Sequence, residues 1–412
     1  MTSTACNAQK IWTNAALATM DPSIEAPYGM LTNHAIGVSN GRIELITPMS
    51  RLDLAGFTGE LIDADGSCMT PGLIDSHSHL IYGGQRAGEF SQRLGGASYA
   101  EISRAGGGIL ATVAATRSLS EAELVEQARP RLEALLAEGV TTVEIKSGYG
   151  LTLKDEVKML RAARTLAADY PVRLRSTLLA AHALPPEFAG AADSYIELIC
   201  KELIPLVAQE QLAEAVDLFC EPIAFSLAQC EKIFVAAQAA GLGIKAHVEQ
   251  LSNSQGAALA ARFSAWSVDH LEYLDADGIA ALKQSGTVAT LLPGAFYFLG
   301  ETQKPPVQAL RQAQIPLALA SDLNPGSSPL ASLRLMMNIG CVLFGLTPEE
   351  ALRGTTRHAA AALGLSASIG TLRVGKAADM LLWPIEDPAQ LSYQFGASNP
   401  RQRIFAGEVC DA

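Results

Sequence analysis

The sequence lacks the features that mark membrane, secreted and nucleic-acid-binding proteins. Its 412 residues include no uncharged apolar stretch of about 18 residues, the length that a membrane helix requires. Lysine and arginine form no cluster, and the formal net charge is −12, so a basic nucleic-acid-binding face is excluded. The polar first ten residues show no basic-then-apolar signal pattern. We therefore expect a cytoplasmic protein that binds neither membranes nor nucleic acid.

Paired cysteines are also missing. The seven cysteines are scattered, odd in number and without C-x-x-C spacing. This distribution excludes a zinc knuckle and a disulfide framework, and it is typical of reduced thiols in the cytosol. The chain is longer than one hydrophobic core usually supports, so a large domain with a smaller companion is expected.

The middle of the chain alternates short apolar runs with segments of helical periodicity. The apolar runs cover residues 70–74, 141–145, 173–180, 216–219, 243–246, 267–269, 287–292 and 316–320. The helical segments cover residues 121–138, 154–168, 192–208, 227–240, 275–285 and 306–314. Eight strands alternating with helices predict an α/β fold, a (β/α)8 TIM barrel over residues 67–367. An open doubly wound sheet is the competing fold, but no G-x-G-x-x-G follows the first strand.

Both ends of the chain differ from this pattern. Short strand-like pieces broken by turns occur at residues 35–38, 42–47 and 59–62, and again at 370–374, 379–383 and 403–405. Neither end has enough apolar residues to form a core alone. We predict that residues 1–66 and 368–412 pair into one small β-sandwich domain beside the barrel.

Histidines are few, and most of them fall at one kind of position. Of the seven, the five at or just after the end of a predicted strand are His77, His79, His182, His247 and His270. In a barrel, the carboxyl ends of the strands form the catalytic face. The other two, His34 and His358, are interpreted as packing or surface residues.

The segment D-S-H-S-H provides the strongest local signal for a metal. Residues two apart on a strand point the same way, so His77 and His79 can bind one ion together. His247 ends the fifth run and is the natural third ligand, unless it is a core histidine. Asp322 follows the eighth run and can bind the metal and accept a proton, unless it is a helix N-cap. Three imidazoles and a carboxylate suit zinc and iron equally.

Several of these motifs together resemble a known superfamily. The segment P-G-L-I-D-S-H-S-H, the later strand-end histidines, the barrel-ending Asp322 and the tail G-T-L-R-V-G-K-A-A-D-M resemble the amidohydrolase superfamily over nearly the whole chain. The resemblance implies the barrel, the composite β domain and a metal-activated water. Two-metal members have a modified lysine at the end of the fourth strand, where this chain has Cys220 and Glu221. We therefore predict one zinc or iron ion, and we expect Lys146 to stabilise the loop that carries Tyr149.

A narrower resemblance is to the imidazolonepropionase family. It rests on residues 77–99, 105–109, 144–151, 219–221, 247–253, 269–272 and 321–329. The resemblance implies hydrolytic ring opening of 4-imidazolone-5-propanoate to N-formimidoyl-L-glutamate in histidine degradation. It also implies that the chain forms a homodimer.

Substrate-binding residues are predicted from this resemblance and from the substrate's chemistry. A small anionic heterocycle needs a cation for its carboxylate, and Arg86 can supply a bidentate one. The predicted substrate-binding residues are Arg86, Tyr149, His182, Gln250, Asn324, Gly326 and Ser327. The alternatives are that Arg86 is a surface residue paired with Glu89, that Tyr149 only packs, and that residues 324–327 are a plain turn.

His270, Asp322 and Glu249 are the catalytic candidates. His270 can orient the water or shuttle its proton, and Asp322 is the expected proton acceptor. Related deaminases carry a glutamate three residues after the His247 position, where this chain has Gln250. Glu249 lies one residue earlier and would face the other way on a strand, so its role is left open.

Two other functions fit part of this pattern. One is another cyclic amidohydrolase or deaminase that acts on a small heterocycle, which would keep the metal ligands without Arg86, Tyr149 and Asn324. The other is a non-catalytic, metal-binding assembly protein, which would be expected to have lost metal ligands.

Overall fold

The computed structural model describes residues 3–4, 7–97, 101, 106–397 and 399–410. Ser98, Tyr99 and Ala105, which belong to the motifs above, lie outside the described residues. Within the described ranges, no helix is both long enough and apolar enough to cross a membrane.

Eight parallel strands form the central barrel sheet, and neighbours along the chain are neighbours in the sheet. In chain order after seven N-terminal strands, the barrel strands are β8 (Leu73–Asp75), β9 (Val140–Lys146), β10 (Arg173–Ala181), β11 (Ala215–Cys220), β12 (Gly243–Val248), β13 (Ser267–His270), β14 (Val288–Leu291) and β15 (Leu317–Leu319). Nearly all of their residues are buried, as expected of strands covered by helices on one face and filled by side chains on the other. The predicted fold class is confirmed.

Helices follow the strands along the chain. They are α1 (Ala87–Leu94), α2 (Ile109–Ser118), α3 (Glu121–Ala137), α4 (Leu153–Ala168), α5 (Ala192–Leu198), α6 (Ile204–Gln209), α7 (Leu227–Ala239), α8 (Gly256–Arg262), α9 (Ala276–Ser285), α10 (Pro293–Leu299), α11 (Val307–Gln312), α12 (Leu333–Phe344), α13 (Pro348–Gly354), α14 (Arg357–Ala362) and α15 (Gln390–Tyr393). A π-helical segment, Ile199–Leu203, joins α5 to α6. Ser120 and Glu123 form the predicted capping box at the start of α3.

The terminal segments form a second, separate sheet. Its strands are β2 (Lys10–Ala18), β3 (Met30–Ser39), β4 (Arg42–Pro48), β6 (Glu60–Asp63), β7 (Cys68–Pro71), β16 (Met380–Trp383), β17 (Gln402–Phe405) and β18 (Glu408–Cys410). Two short strands, β1 (Ser3–Thr4) and β5 (Leu52–Asp53), pair separately. The indole of Trp12 donates to Gln402 at 2.8 Å, and one apolar cluster contains residues from both termini. The two ends therefore share one core, as their composition predicted.

The predicted strand 70–74 is wrong in one respect, because it is two strands that belong to different sheets. β7 pairs with β16 and β2 in the terminal sheet, whereas β8 begins the barrel. The break is at Gly72, where a Cβ atom would lie 2.0 Å from Thr141 Oγ1. A continuous run of apolar residues could not reveal this change of sheet, because both strands are fully buried.

The barrel closes just beyond the ends of its first and eighth strands. His79 N donates to Leu323 O, and Asp322 N donates to His77 O, both at 2.9 Å. Ser321 Oγ adds a hydrogen bond of 2.5 Å to Asp75 Oδ2. These bonds hold His77, His79 and Asp322 side by side at the seam.

Candidate active site

Four side chains meet at the seam with their ligand atoms close together. His79 Nε2 lies 3.4 Å from His247 Nε2, and Asp322 Oδ1 lies 3.5 Å from His77 Nε2 and 3.4 Å from His79 Nε2. The three histidines could hold a metal ion, since their ligand atoms lie within 4.8 Å of one another. All four residues are at most 3% exposed. The structure thus brings together the four residues predicted to bind a metal.

The donor set fits a metal ion. No residue that the structure describes forms a hydrogen bond with the buried Nε2 atom of His77. Such an unpartnered buried nitrogen is expected where the partner is a metal ion. Two of these histidines are held through their other ring nitrogen, because His77 Nδ1 lies 2.6 Å from Asp269 Oδ2 and His247 Nδ1 lies 3.0 Å from Asp217 Oδ1. Carboxylates in these positions fix the tautomer, so that Nε2 of His77 and Nε2 of His247 face the centre with their lone pairs.

Asp217 and Asp269 were not among the predicted site residues. Each is an aspartate within or at the end of an apolar strand, and each is fully buried. That pattern could have identified both aspartates as site residues, because a carboxylate that faces the interior of a barrel needs a specific partner. The sequence did not identify the partner, since His77 is 192 residues away from Asp269.

The expectation for Lys146 is wrong. Its side chain is fully buried in the barrel interior, and its Nζ lies 2.6 Å from Asp217 Oδ2 and 2.9 Å from Glu144 Oε2. The loop of Tyr149 is held by another residue, Glu156, whose carboxylate accepts from the amides of Gly148, Gly150 and Leu151. Lys146 ends a strand whose alternate residues point inward, and so it contacts the barrel interior instead of the loop.

His270 and Asp322 have unusual backbone conformations. Their φ angles are 86° and 50°, in the left-handed region that side chains other than glycine rarely adopt. Such conformations persist where surrounding contacts impose them, and they concentrate at functional sites. The ring centroid of His270 lies 5.4 Å from that of His247, so His270 borders the predicted metal ligands.

Burial controls the charge of the site. Burial lowers the pKa of His270 to about 4 and that of His182 to about 3. Burial acts to raise the pKa of Asp322, but the adjacent imidazoles of His77 and His79 outweigh it and hold that pKa well below its usual range. The arrangement therefore combines a charged carboxylate with two imidazoles, His182 and His270, that are neutral near pH 7.

A cavity of about 250 Å³ opens onto these groups. The predicted residues that line it are His79, Arg86, Tyr149, His182, His247, Gln250, His270, Asp322, Asn324, Gly326 and Ser327. His182 stacks on His79 with ring centroids 5.2 Å apart, and its Nδ1 is bound to Gly148 O at 3.0 Å. The cavity suits a small molecule that meets several polar groups at once.

Arg86 is both paired and in the cavity. It donates two hydrogen bonds to Glu89 Oε2, at 2.9 and 2.6 Å, as the alternative interpretation expected. Its Nη1 lies against the loop of Gly326, where a Cβ atom would be 2.3 Å away. Gly326 therefore permits the guanidinium to lie over the cavity.

The loop after Asp322 is organised by Asn324. Its Oδ1 accepts from Gly326 N and Ser327 N at 2.8 and 2.7 Å, and its Nδ2 donates to Asp322 O at 2.6 Å. The side chain of Asn324 is thus engaged within a turn, which supports the alternative in part. The side chain of Asn324 also links the loop to Asp322, which lies beside the three clustered histidines.

Glu249 lies apart from the cavity. Its carboxylate accepts from Gly256 N at 2.8 Å and from Ala257 N at 2.9 Å, at the first turn of α8. Its neighbour Gln250 does line the cavity. Glu249 is therefore placed as a helix-capping residue and not as a group that reaches the substrate.

We expect Glu249→Gln to lower stability and leave kcat close to that of the parent. The amide keeps one acceptor and loses the carboxylate charge at a helix N-terminus, which should cost about 0.5–2 kcal/mol. Denaturant unfolding and steady-state kinetics would measure the two effects. A large fall in kcat with unchanged stability would return Glu249 to the catalytic group.

One wall of the cavity was not predicted. Phe90 and Phe298 stack with ring centroids 5.0 Å apart, and the guanidinium of Arg93 lies 5.0 Å from the Phe298 ring. All three line the cavity. Phe90 and Arg93 share α1 and Phe298 lies on α10, so the sequence could not show that they meet.

The barrel fold and the cluster of three histidines and an aspartate define a class of protein. Comparison with known proteins indicates the same class. The profile of the Amidohydrolase family matches residues 68–410. The chain belongs to the amidohydrolase family. A solved structure of atrazine chlorohydrolase from Arthrobacter aurescens TC1 complexed with zinc is similar in fold, with a TM-score of 0.73 and 18% identity over 97% of this chain and 94% of that one.

More similar relatives point to one group within that class. The imidazolonepropionase of Hahella chejuensis is 58% identical over 97% of this chain and 98% of its own length. That of Chromobacterium violaceum is 58% identical over 96% of each chain. This identity over nearly the full length places the chain among the imidazolonepropionases.

Proposed function

We propose that this chain hydrolyses 4-imidazolone-5-propanoate to N-formimidoyl-L-glutamate, a step of histidine degradation. The observation that carries the proposal is that Arg86 lines the same small cavity as His79, His247 and Asp322. A cation that can bind a carboxylate and a residue cluster that can support hydrolysis thus face the same cavity. The names of the relatives support the same substrate.

The substrate's two parts match two sides of the cavity. Its propanoate carboxylate would accept hydrogen bonds from Arg86, whose planar fork suits a bidentate contact. Its flat ring would lie near Tyr149 and His182, whose rings are 5.4 Å apart. Gln250 and the loop of Gly326 and Ser327 can supply further hydrogen bonds.

His77, His79, His247 and Asp322 would hold the metal ion. A bound divalent ion makes water nucleophilic near neutral pH. We propose one ion per chain, zinc or iron, since three imidazoles and one carboxylate suit both. The atrazine chlorohydrolase described above, which has a similar fold, is complexed with zinc.

The chemical change needs one water and two proton movements. The water oxygen bonds to the ring carbonyl carbon, and the bond from that carbon to the ring nitrogen breaks. We propose that Asp322 or His270 takes the water's proton, since both line the cavity and lie beside the proposed metal ligands. The leaving nitrogen keeps the electron pair of the broken bond and must gain a proton.

Loss of the ring absorbance of imidazolone propanoate, measured with and without a chelator, tests the proposal. We expect turnover by the purified enzyme, loss of turnover after chelation, and recovery when zinc or iron is returned. Turnover that persists after complete metal removal would contradict the metal centre. Absence of turnover by metal-loaded protein would favour another cyclic amidohydrolase or deaminase activity.

Two further properties remain proposals. We propose a homodimer from the family resemblance, which sedimentation would measure. We propose a cytoplasmic location from the scattered cysteines, since all those that the structure describes are free thiols. Cell fractionation would measure the location.

A further inference from the structure

A cluster of buried charges lies beneath the metal ligands, outside the cavity. Its members, all 0% exposed, are Glu144, Lys146, Asp217, Lys245 and Asp269. They come from four strands of the barrel, the adjacent β11, β12 and β13 and, on the far side of β10, β9. Five formal charges without contact with water are costly unless each one is paired, so their arrangement requires a reason.

Lys146 is at the centre of this cluster. Its Nζ lies 2.6 Å from Asp217 Oδ2, 2.9 Å from Glu144 Oε2 and 4.0 Å from Asp269 Oδ2. Lys245 completes the other side, with its Nζ 3.6 Å from Asp269 Oδ2 and 2.8 Å from Ser267 Oγ. The two ammonium groups thus hold three carboxylates in place.

Two of those carboxylates also hold metal-binding histidines. Asp217 uses Oδ2 for Lys146 and Oδ1 for His247 Nδ1, so one carboxylate joins the lysine to the ligand. Asp269 Oδ2 contacts His77 Nδ1 at 2.6 Å. A carboxylate fixes an imidazole only when the carboxylate itself is fixed, because its own rotation would turn the ring.

We propose that Lys146 is a positioning residue for the metal centre. Its ammonium fixes Asp217 and, together with Lys245, Asp269, so that His77 and His247 present Nε2 to the ion. It therefore sets the metal affinity without contacting the ion or the substrate. The inference rests on the metal-holding role proposed above, and it is independent of which heterocycle is hydrolysed.

Zinc affinity of the double variant Lys146→Met/Glu144→Gln tests this role. Removing one positive and one negative charge keeps the buried balance, so this variant is better able to fold than Lys146→Met alone. Competition with a chromophoric chelator gives the zinc affinity, and the visible spectrum of the Co²⁺-loaded protein reports the ligand geometry. We expect affinity to fall by about 10- to 100-fold and the spectrum to change.

Lys158→Met is the matched control. Lys158 Nζ donates to three backbone carbonyls and lies 2.9 Å from Asp155 Oδ1, so it is a well-bonded lysine away from the metal ligands. We expect this change to lower stability and leave zinc affinity and the Co²⁺ spectrum as in the parent.

Three outcomes are decisive. Zinc affinity within twofold of the parent, with an unchanged Co²⁺ spectrum, would overturn the role of Lys146. A parent protein that binds neither zinc, cobalt nor iron would overturn the metal centre and this inference together. A parent that binds zinc but leaves imidazolone propanoate intact would overturn only the substrate, and the loss of affinity in the double variant would still support Lys146.

Discussion

Asp322→Asn is expected to lower kcat by about 10³-fold or more, the largest effect of any single substitution considered. Asp322 Oδ1 lies within 3.5 Å of His77 Nε2 and His79 Nε2, so the change would remove both roles proposed for this residue, charged metal ligand and proton acceptor. Asparagine keeps the shape of the side chain, and the bond that closes the seam uses the Asp322 backbone. The unfolding transition should therefore remain near that of the parent.

Steady-state kinetics with metal analysis would separate the two roles of Asp322. Asp275→Asn is a suitable control, because Asp275 caps α9 by accepting from Gly278 N and an asparagine can still do so. This control should retain full activity. An Asp322→Asn enzyme that holds its metal and turns over at the parent rate would remove Asp322 from the mechanism.

Arg86→Ala is expected to raise KM by about 10- to 100-fold, since a hydrogen bond to a charged group contributes about 1.5–3 kcal/mol. The change also releases Glu89, whose carboxylate would then face an anionic substrate without its cation. The effect on kcat should be smaller, because Arg86 would bind the propanoate group away from the reacting ring.

The matched control is an arginine in a similar local pair. Arg129 binds Glu126 three residues away, as Arg86 binds Glu89, but it lies on the surface. Arg129→Ala should leave KM unchanged. With a substrate analogue that lacks the carboxylate, the parent and Arg86→Ala enzymes should have similar KM values. An unchanged KM of Arg86→Ala for the full substrate would place Arg86 outside the binding site.

Most of the barrel, and the meeting of the four proposed metal ligands, could be predicted from local sequence pattern. Strand periodicity places His77 and His79 on one face, and alternating strands and helices place His247 and Asp322 at the same end of the barrel. These inferences need only the direction in which each strand runs and where it ends. They failed at residues 70–74, where two buried strands of different sheets are joined at Gly72.

The contacts that a side chain makes were harder to predict from the sequence than the place of its residue in the fold. Glu249 and Gln250 are adjacent, yet one caps α8 and the other lines the cavity. The positive φ of Glu249 turns the chain there, and strand alternation no longer applies beyond that point. Only the folded backbone shows which of two neighbours faces the substrate.

The sequence by itself determined the fold class, the terminal β unit and the position, at one end of the barrel, of the four residues proposed to bind a metal. The tertiary structure decided which residues surround these four. They are the buried charge cluster around Lys146, the carboxylates that contact His77 and His247, and the cavity wall of Phe90, Arg93 and Phe298. The physical reason is distance along the chain. A ligand's position follows from its own strand, whereas the partner of a buried charge depends on the register between strands far apart in sequence.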